Sequence, residues 1–520
     1  MRLAVSRGWS RAYRCRPLTF DLEDYRRRAE RFSEELSREY YLHLAGHKPE
    51  LEIEPIYEKD ADLFAVESVE RLRELTGAAS GDDGRRLRYL LHFALDGLLG
   101  HETRAETAEL ARLEASLELD PGDGAVPYRA VPIEQANETS GDRRAALQEA
   151  RGAVLEERLN PIYRAALERA HDLCVAVGWP SYAAAYGELR GIDLEALAAE
   201  AARFVADTAD AYGTIVDPQL RRAELPKLAE LRRSDLPRFF RAPDLDPQFP
   251  AERMVGALSD TLAGLGIDLG AQASVHVDTE RRRTKSSRAF CSAPRIPHEI
   301  YLVIAPSGGR DDYEALFHEA GHAQHYASTD PDLDFEFRHL GDNSVTESFA
   351  FLLQHLVEDG EWLEERLGVE DLQPAVGYAR AVKLVMLRRY AAKLAYELEL
   401  HGDSTELGRM PARYGELLTE ATRISWPSTD WLADVDGGFY AACYLRAWAL
   451  ETEWRAALEE RFGPRWFDWP KAGEWLRALW SHGQRLDADE LLAESLGREL
   501  ELGSIAAELA RAPGRAEAAT

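Results

Sequence analysis

The sequence predicts a mainly α protein with one small β-sheet placed just ahead of a single helix. Two observations predict it. Ala, Leu, Glu and Arg fill long stretches in which apolar residues recur at three- and four-residue spacing, the period of an amphipathic helix. Alternating, β-branched or aromatic segments are confined to a short region between 273 and 304, the pattern of strands.

In chain order, helical periodicity covers 22–41, 145–159, 162–173 and 194–212. Three strands follow at 273–278, 288–291 and 299–304, separated by turn-rich or Pro-containing segments. A helix then runs through 311–327, with no Pro and only Gly321 to weaken it. The next is expected from Asn343 to Leu353, with Ser344 as N-cap and Glu347 three residues on, as in a capping box. Helical spacing returns at 379–400 and 451–462. No internal repeat is visible.

The chain has 520 residues, long enough to bury a large core. With 63 basic and 92 acidic residues its net charge is −29, which repels nucleic acid and anionic membranes. The acids are interspersed with Arg along helices, as on a solvated, salt-bridged surface. No apolar run approaches the roughly 18 residues of a membrane helix. Cys15, Cys174, Cys291 and Cys443 are scattered with no C-x-x-C pair, so reduced thiols and a cytoplasmic location are expected. Residues 1–19 and 511–520 are expected to be loose tails.

The segment His318-Glu319-Ala320-Gly321-His322 carries the chemistry. On a helix, H-E-x-x-H puts two imidazoles on one face a turn apart, where both reach one Zn²⁺, with the Glu beside the ion to take a proton from water. With 14 His in the chain and Glu at roughly a tenth of positions, chance supplies this motif only about 0.04 times.

A catalytic zinc takes three protein ligands and keeps a fourth position open. A further His six residues after His322 is excluded, because position 328 is Ser. Glu347 is the expected third ligand: it precedes Phe349-Ala350-Phe351-Leu352-Leu353, and a carboxylate on so apolar a helix needs a compensating cation. Its competing role is the capping box with Ser344; Glu336 is the alternative ligand. Glu314, one turn before His318, is expected to orient an imidazole. An edge strand beside the metal would hold a substrate backbone extended, with Ala289 as the backbone contact. The basic run Arg281-Arg282-Arg283-Thr284-Lys285, with Arg288 nearby, is either a solvated hairpin tip or a site for a peptide carboxylate.

The run Glu314-x-x-Phe317-His318-Glu319-x-Gly321-His322 followed by Glu347 resembles the thimet oligopeptidase and oligoendopeptidase F group of zinc peptidases, with angiotensin-converting enzyme as a more distant relative. Gly178-Trp179-Pro180-Ser181-Tyr182 through Leu194, Ala289-Phe290-Cys291, Gly437-Gly438-Phe439-Tyr440 through Tyr444, and Gly483 through Gly497 are similar to family segments in the same order. The resemblance implies a two-lobed helical body around a deep channel that admits short peptides. It suggests an N-terminal lobe at 20–270 and a catalytic lobe at 271–510. It also implies a downstream Tyr and His as oxyanion donors. Here Phe439, Cys443 and Arg446 fall where family tyrosines would, and Asp434 where the family has its His. Tyr440 and Tyr444, at i and i+4, and Arg446 are the candidates to stabilise the oxyanion.

Together these features predict a zinc-dependent peptidase acting on short oligopeptides, with one Zn²⁺ per chain. Alternatives are a carboxypeptidase or dipeptidyl carboxypeptidase of the same superfamily, a zinc-bound peptide-binding protein that lacks turnover, or hydrolysis of another amide. Mn²⁺ or Co²⁺ would suit the same ligands.

Overall fold

A computed structural model of the protein describes residues 20–402 and 405–510. The expected tails at 1–19 and 511–520, and Cys15, lie outside the described residues. The protein is mainly α, with 71% of it helical and only small sheets.

Five helices organise the site. α1 (Leu22–Leu44) starts at Asp21, whose carboxylate accepts from the backbone N–H groups of Glu23 and Asp24. α2 (Arg310–Ser328) carries the two histidines. α3 (Asn343–Leu356) is buried at every position from Ser344 to Leu353, as befits a helix apolar nearly all round. α4 (Gln373–Leu400) and α5 (Tyr440–Phe462) complete the set. α3 lies between α2 and α5, so its side chains face both.

Of the two sheets, β1 (Glu118–Leu119) and β2 (Val126–Pro127) form only a two-residue ladder. The larger sheet joins β3 (Val275–Asp278), β4 (Phe290–Arg295) and β5 (Glu299–Val303) in the order β3-β5-β4. β5 is parallel to β3 and antiparallel to β4. β4 is therefore an edge strand, and Pro294 within it, where the register shifts, is tolerated for that reason. α1 packs against β4, with Ser37 and Ser292 hydroxyls 3.1 Å apart.

The strand expected at 288–291 is shifted to Phe290–Arg295, so Arg288 and Ala289 precede it, and two helix expectations differ. The helix expected over 194–212 breaks at Thr208 into Leu194–Asp207 and Ala209–Arg222; the buried Thr208 hydroxyl donates back to the Phe204 carbonyl at 2.8 Å, a local bond that competes with helix continuation. At α3 the N-cap is Asp342, not Ser344: Asp342 Oδ1 accepts the Ser344 N–H at 2.9 Å. The capping box expected between Ser344 and Glu347 does not form, and the Glu347 carboxylate is left to point elsewhere.

One hydrophobic core contains residues from Tyr25 to Leu509, on both sides of position 270. A small second cluster lies under the short ladder, around Leu113, Val126 and Val131.

Candidate metal centre

The site begins with a close helix crossing. A Cβ on Gly321 would lie 2.5 Å from both the Cα of Ala350 and the carbonyl O of Phe349. The missing side chain therefore lets the α3 backbone seat directly on α2. Glu347, about one turn before Ala350, is thereby brought beneath the two imidazoles.

His318 Nε2 lies 3.3 Å and His322 Nε2 3.8 Å from Glu347 Oε2. The three groups offer ligand atoms within 4.8 Å of one another, close enough for one divalent cation to be shared. Glu347 is 6% exposed, and its Oε2 has no hydrogen-bond partner. A buried, unpaired carboxylate oxygen aimed at two imidazoles is what a cation would satisfy, so these residues fit a metal.

Charge agrees with that fit. Burial would raise the Glu347 carboxyl, but the adjacent imidazoles of His318 and His322 hold it down to about 2. Burial pushes His322 down to about 4, leaving it neutral, as a ligand must be. Burial also opposes charge on His318, but Glu347 raises it above the usual imidazole range; the field that draws a proton there would draw a cation.

The far ring nitrogens are fixed by α3. His318 Nδ1 donates to Gln354 Oε1 at 2.9 Å, and His322 Nδ1 pairs with Thr346 Oγ1 at 2.8 Å. These bonds turn each Nε2 toward the shared site. Sequence reasoning missed both partners. The available signal was spacing: Thr346 adjoins Glu347, and Gln354 lies seven residues on, two turns along the same face.

Glu314 does not orient an imidazole. Arg310, one turn earlier on the same helix, takes its carboxylate at 2.8 Å, with Glu358 also in contact with that guanidinium at 3.2 Å. Burial raises the Glu314 carboxyl well above the usual range. The imidazoles face α3, whereas Glu314 is claimed by α2 itself. Glu336, the alternative ligand, is also committed elsewhere, to Arg26 at 2.8 Å and Arg86 at 3.5 Å.

Glu319 stands between α2 and the free edge of β4, where its Oε2 accepts the Cys291 N–H at 2.8 Å. Burial raises its carboxyl, offset in part by His318. Ala289, just before β4, is 6% exposed and packs into the core. Its neighbour Cys291 is the residue whose backbone meets the site.

The downstream aromatics divide. Gly438 (φ 60°) and Phe439 (φ 57°) form a left-handed turn that delivers Tyr440 into the first turn of α5. The Tyr440 hydroxyl donates to Glu347 Oε1 at 2.7 Å, and burial raises its pKa beyond that of a free phenol. Tyr444, partly exposed, packs its ring against Tyr440 at 5.0 Å and Tyr390 at 5.1 Å between centroids. Arg446, two residues further, is turned about 200° around the helix from Tyr444 and pairs with Asp489 at 2.7 Å and Asp342 at 3.7 Å. It is not at the site, which corrects its expected role. Asp434 accepts from the Tyr414 hydroxyl at 2.7 Å and pairs with Arg389.

Fold and site together define a mainly α protein with a His-His-Glu group, its Glu buried and its imidazoles half-buried, and an acidic residue between that group and a sheet edge. No family model matches the chain, and no curated protein is similar enough to count as a match. Among the described residues, no helix is long and apolar enough to cross a membrane.

Proposed function

We propose that the chain is a zinc-dependent peptidase that hydrolyses peptide bonds in short oligopeptides. The observation that carries this reading is the unpaired Glu347 Oε2 facing the Nε2 atoms of His318 and His322. Bound by these three residues, zinc supplies a Lewis acid that lowers the pKa of water and polarises a carbonyl. Glu319 takes the proton from the attacking water and hands it to the leaving nitrogen. Its hydrogen bond to Cys291 N–H sets that carboxylate beside the strand edge on which an extended substrate backbone would lie. Tyr444 is the candidate to stabilise the oxyanion, since the Tyr440 hydroxyl is already given to Glu347. A helical body enclosing the site would admit short peptides and exclude folded proteins. The free thiols of Cys174, Cys291 and Cys443 suit a reducing compartment such as the cytoplasm.

A peptide-binding protein that holds zinc without turnover is the second reading. It is favoured by the bonds from Cys291 to Glu319 and from Tyr440 to Glu347, which engage two groups that turnover would use. Incubating zinc-loaded protein and its Glu319→Gln variant with unblocked peptides of graded length, followed by mass spectrometry, separates the two. Cleavage by the parent alone supports the peptidase; no cleavage by either, with zinc bound, leaves the binding protein or hydrolysis of another amide.

A further inference from the structure

Five cations crowd the approach to β4: Arg281, Arg282, Arg283, Lys285 and Arg288. The fold consumes most of them. Buried Lys285 donates to the carbonyls of Asp278, Glu280 and Ile304 at 2.7, 2.9 and 2.8 Å, and to Asp278 Oδ1 at 3.0 Å. Arg282 pairs with Asp278 at 2.7 Å and donates to the Ala45 carbonyl at 2.9 Å. Arg281 donates to the Pro306 carbonyl at 2.7 Å. The loop is pinned to the end of α1 by the Ser286 N–H on the Leu44 carbonyl at 2.7 Å. Arg283, in the turn between Arg282 and Lys285, is exposed and points from the same end of the loop, five residues further from the strand than Arg288.

Arg288 differs. It is exposed, and among the described residues its guanidinium makes no hydrogen bond or ion pair, in a chain of net charge −29. Its backbone is nonetheless fixed: Ser286 Oγ donates to its carbonyl at 2.9 Å and accepts its N–H at 3.2 Å. It precedes the edge strand, three residues before Cys291, whose N–H is 2.8 Å from Glu319. At about 3.3 Å per residue, its Cα lies roughly 10 Å along the chain from that contact, within reach of a long side chain turned toward the site. Its charge also reaches Tyr444, on α5. Arg288 thus stands near the β4 edge and α5, between which a substrate would pass.

We propose that Arg288 sets substrate preference, pairing with a carboxylate of the bound peptide about two residues from the bond that is cut. The inference rests on the peptidase reading for the word substrate, and on Arg288 alone for the preference. A guanidinium suits this task because its planar fork matches a carboxylate bidentately. The carboxylate is either the free C-terminus or an Asp or Glu side chain.

Calorimetry on the zinc-loaded Glu319→Gln protein tests this without turnover. Three tetrapeptides serve as probes: one with neutral side chains and a free C-terminus, its C-terminal amide, and an amide carrying one Asp. At least one carboxylate peptide is expected to bind about tenfold or more tightly than the neutral amide, the size of a charge-assisted hydrogen bond. Adding Arg288→Ala should abolish the difference, and Arg288→Lys should restore part of it. The favoured peptide identifies the terminal or side-chain source. Equal affinities or no binding in the parent background, or a preference that survives Arg288→Ala, overturns the inference. Carboxylate-dependent binding without cleavage keeps Arg288's role and removes the peptidase; cleavage without carboxylate preference does the reverse.

Discussion

The hydroxyl of Tyr440 donates a 2.7 Å hydrogen bond to Oε1 of Glu347 while Oε2 of the same carboxylate has no partner. One oxygen is anchored and the other is held ready toward the imidazoles. Tyr440→Phe removes the anchor at almost constant volume. Zinc affinity, measured by competition with a chelating dye, is expected to fall about 10- to 100-fold, as for other groups that orient a ligand. Unchanged affinity would mean that packing alone positions Glu347.

The imidazoles depend on α3 in the same way. Gln354→Leu and Thr346→Val remove the Nδ1 partners of His318 and His322. Each is expected to weaken zinc binding roughly 10-fold or more while leaving the helical content intact. The same competition assay, paired with circular dichroism, checks both halves.

Gly321 is the tightest steric point of the site. A methyl group there meets backbone atoms of α3 at 2.5 Å, and a backbone cannot swing away as a side chain can. Gly321→Ala should lower unfolding stability by about 1–3 kcal/mol, despite the better helix propensity of Ala, and should lower zinc affinity by moving Glu347. A variant of parental stability and affinity would show that the two helices tolerate separation.

Glu397, fully buried on α4, accepts the Asp436 N–H at 2.8 Å through one oxygen and has no partner at the other. Burial raises its carboxyl to about 8, with Lys393 opposing and Asp436 adding to the rise. The folded protein therefore holds this proton more tightly than the unfolded chain. Stability from this group is fully present below about pH 4.5 and is lost as pH rises through about 8. The loss approaches roughly 5 kcal/mol by pH 9. Glu397→Gln, which does not ionise, should show a flatter fall in Tm between pH 5 and 9; parallel curves would refute this.

Arg446 separates structure from chemistry. Its buried guanidinium joins Asp489 and Asp342, so Arg446→Met leaves Asp342 without that cation and should cost roughly 1–3 kcal/mol in denaturant unfolding. Zinc affinity should not change. A variant of parental stability that loses zinc would restore Arg446 to the site.

Much of this architecture was legible in the sequence. The β4 and β5 region was expected within a few residues, because strand patterning there is uninterrupted by helical spacing. The break at Thr208 was not, because a hydroxyl's choice of a backbone carbonyl leaves no periodic trace.

The sequence by itself determined the His318–Glu319–His322 arrangement and the candidacy of Glu347. One helical turn fixes the first three, and an acid in an apolar helix marks the fourth. Only the tertiary structure decided that Glu314 belongs to Arg310, that Tyr440 holds Glu347, that Arg446 faces away and that Gln354 and Thr346 carry the imidazoles. Spacing fixes which residues share a face of one helix, whereas the rotation and approach of α2, α3 and α5 fix which faces meet. That approach is governed by close packing at contacts such as Gly321 on Ala350.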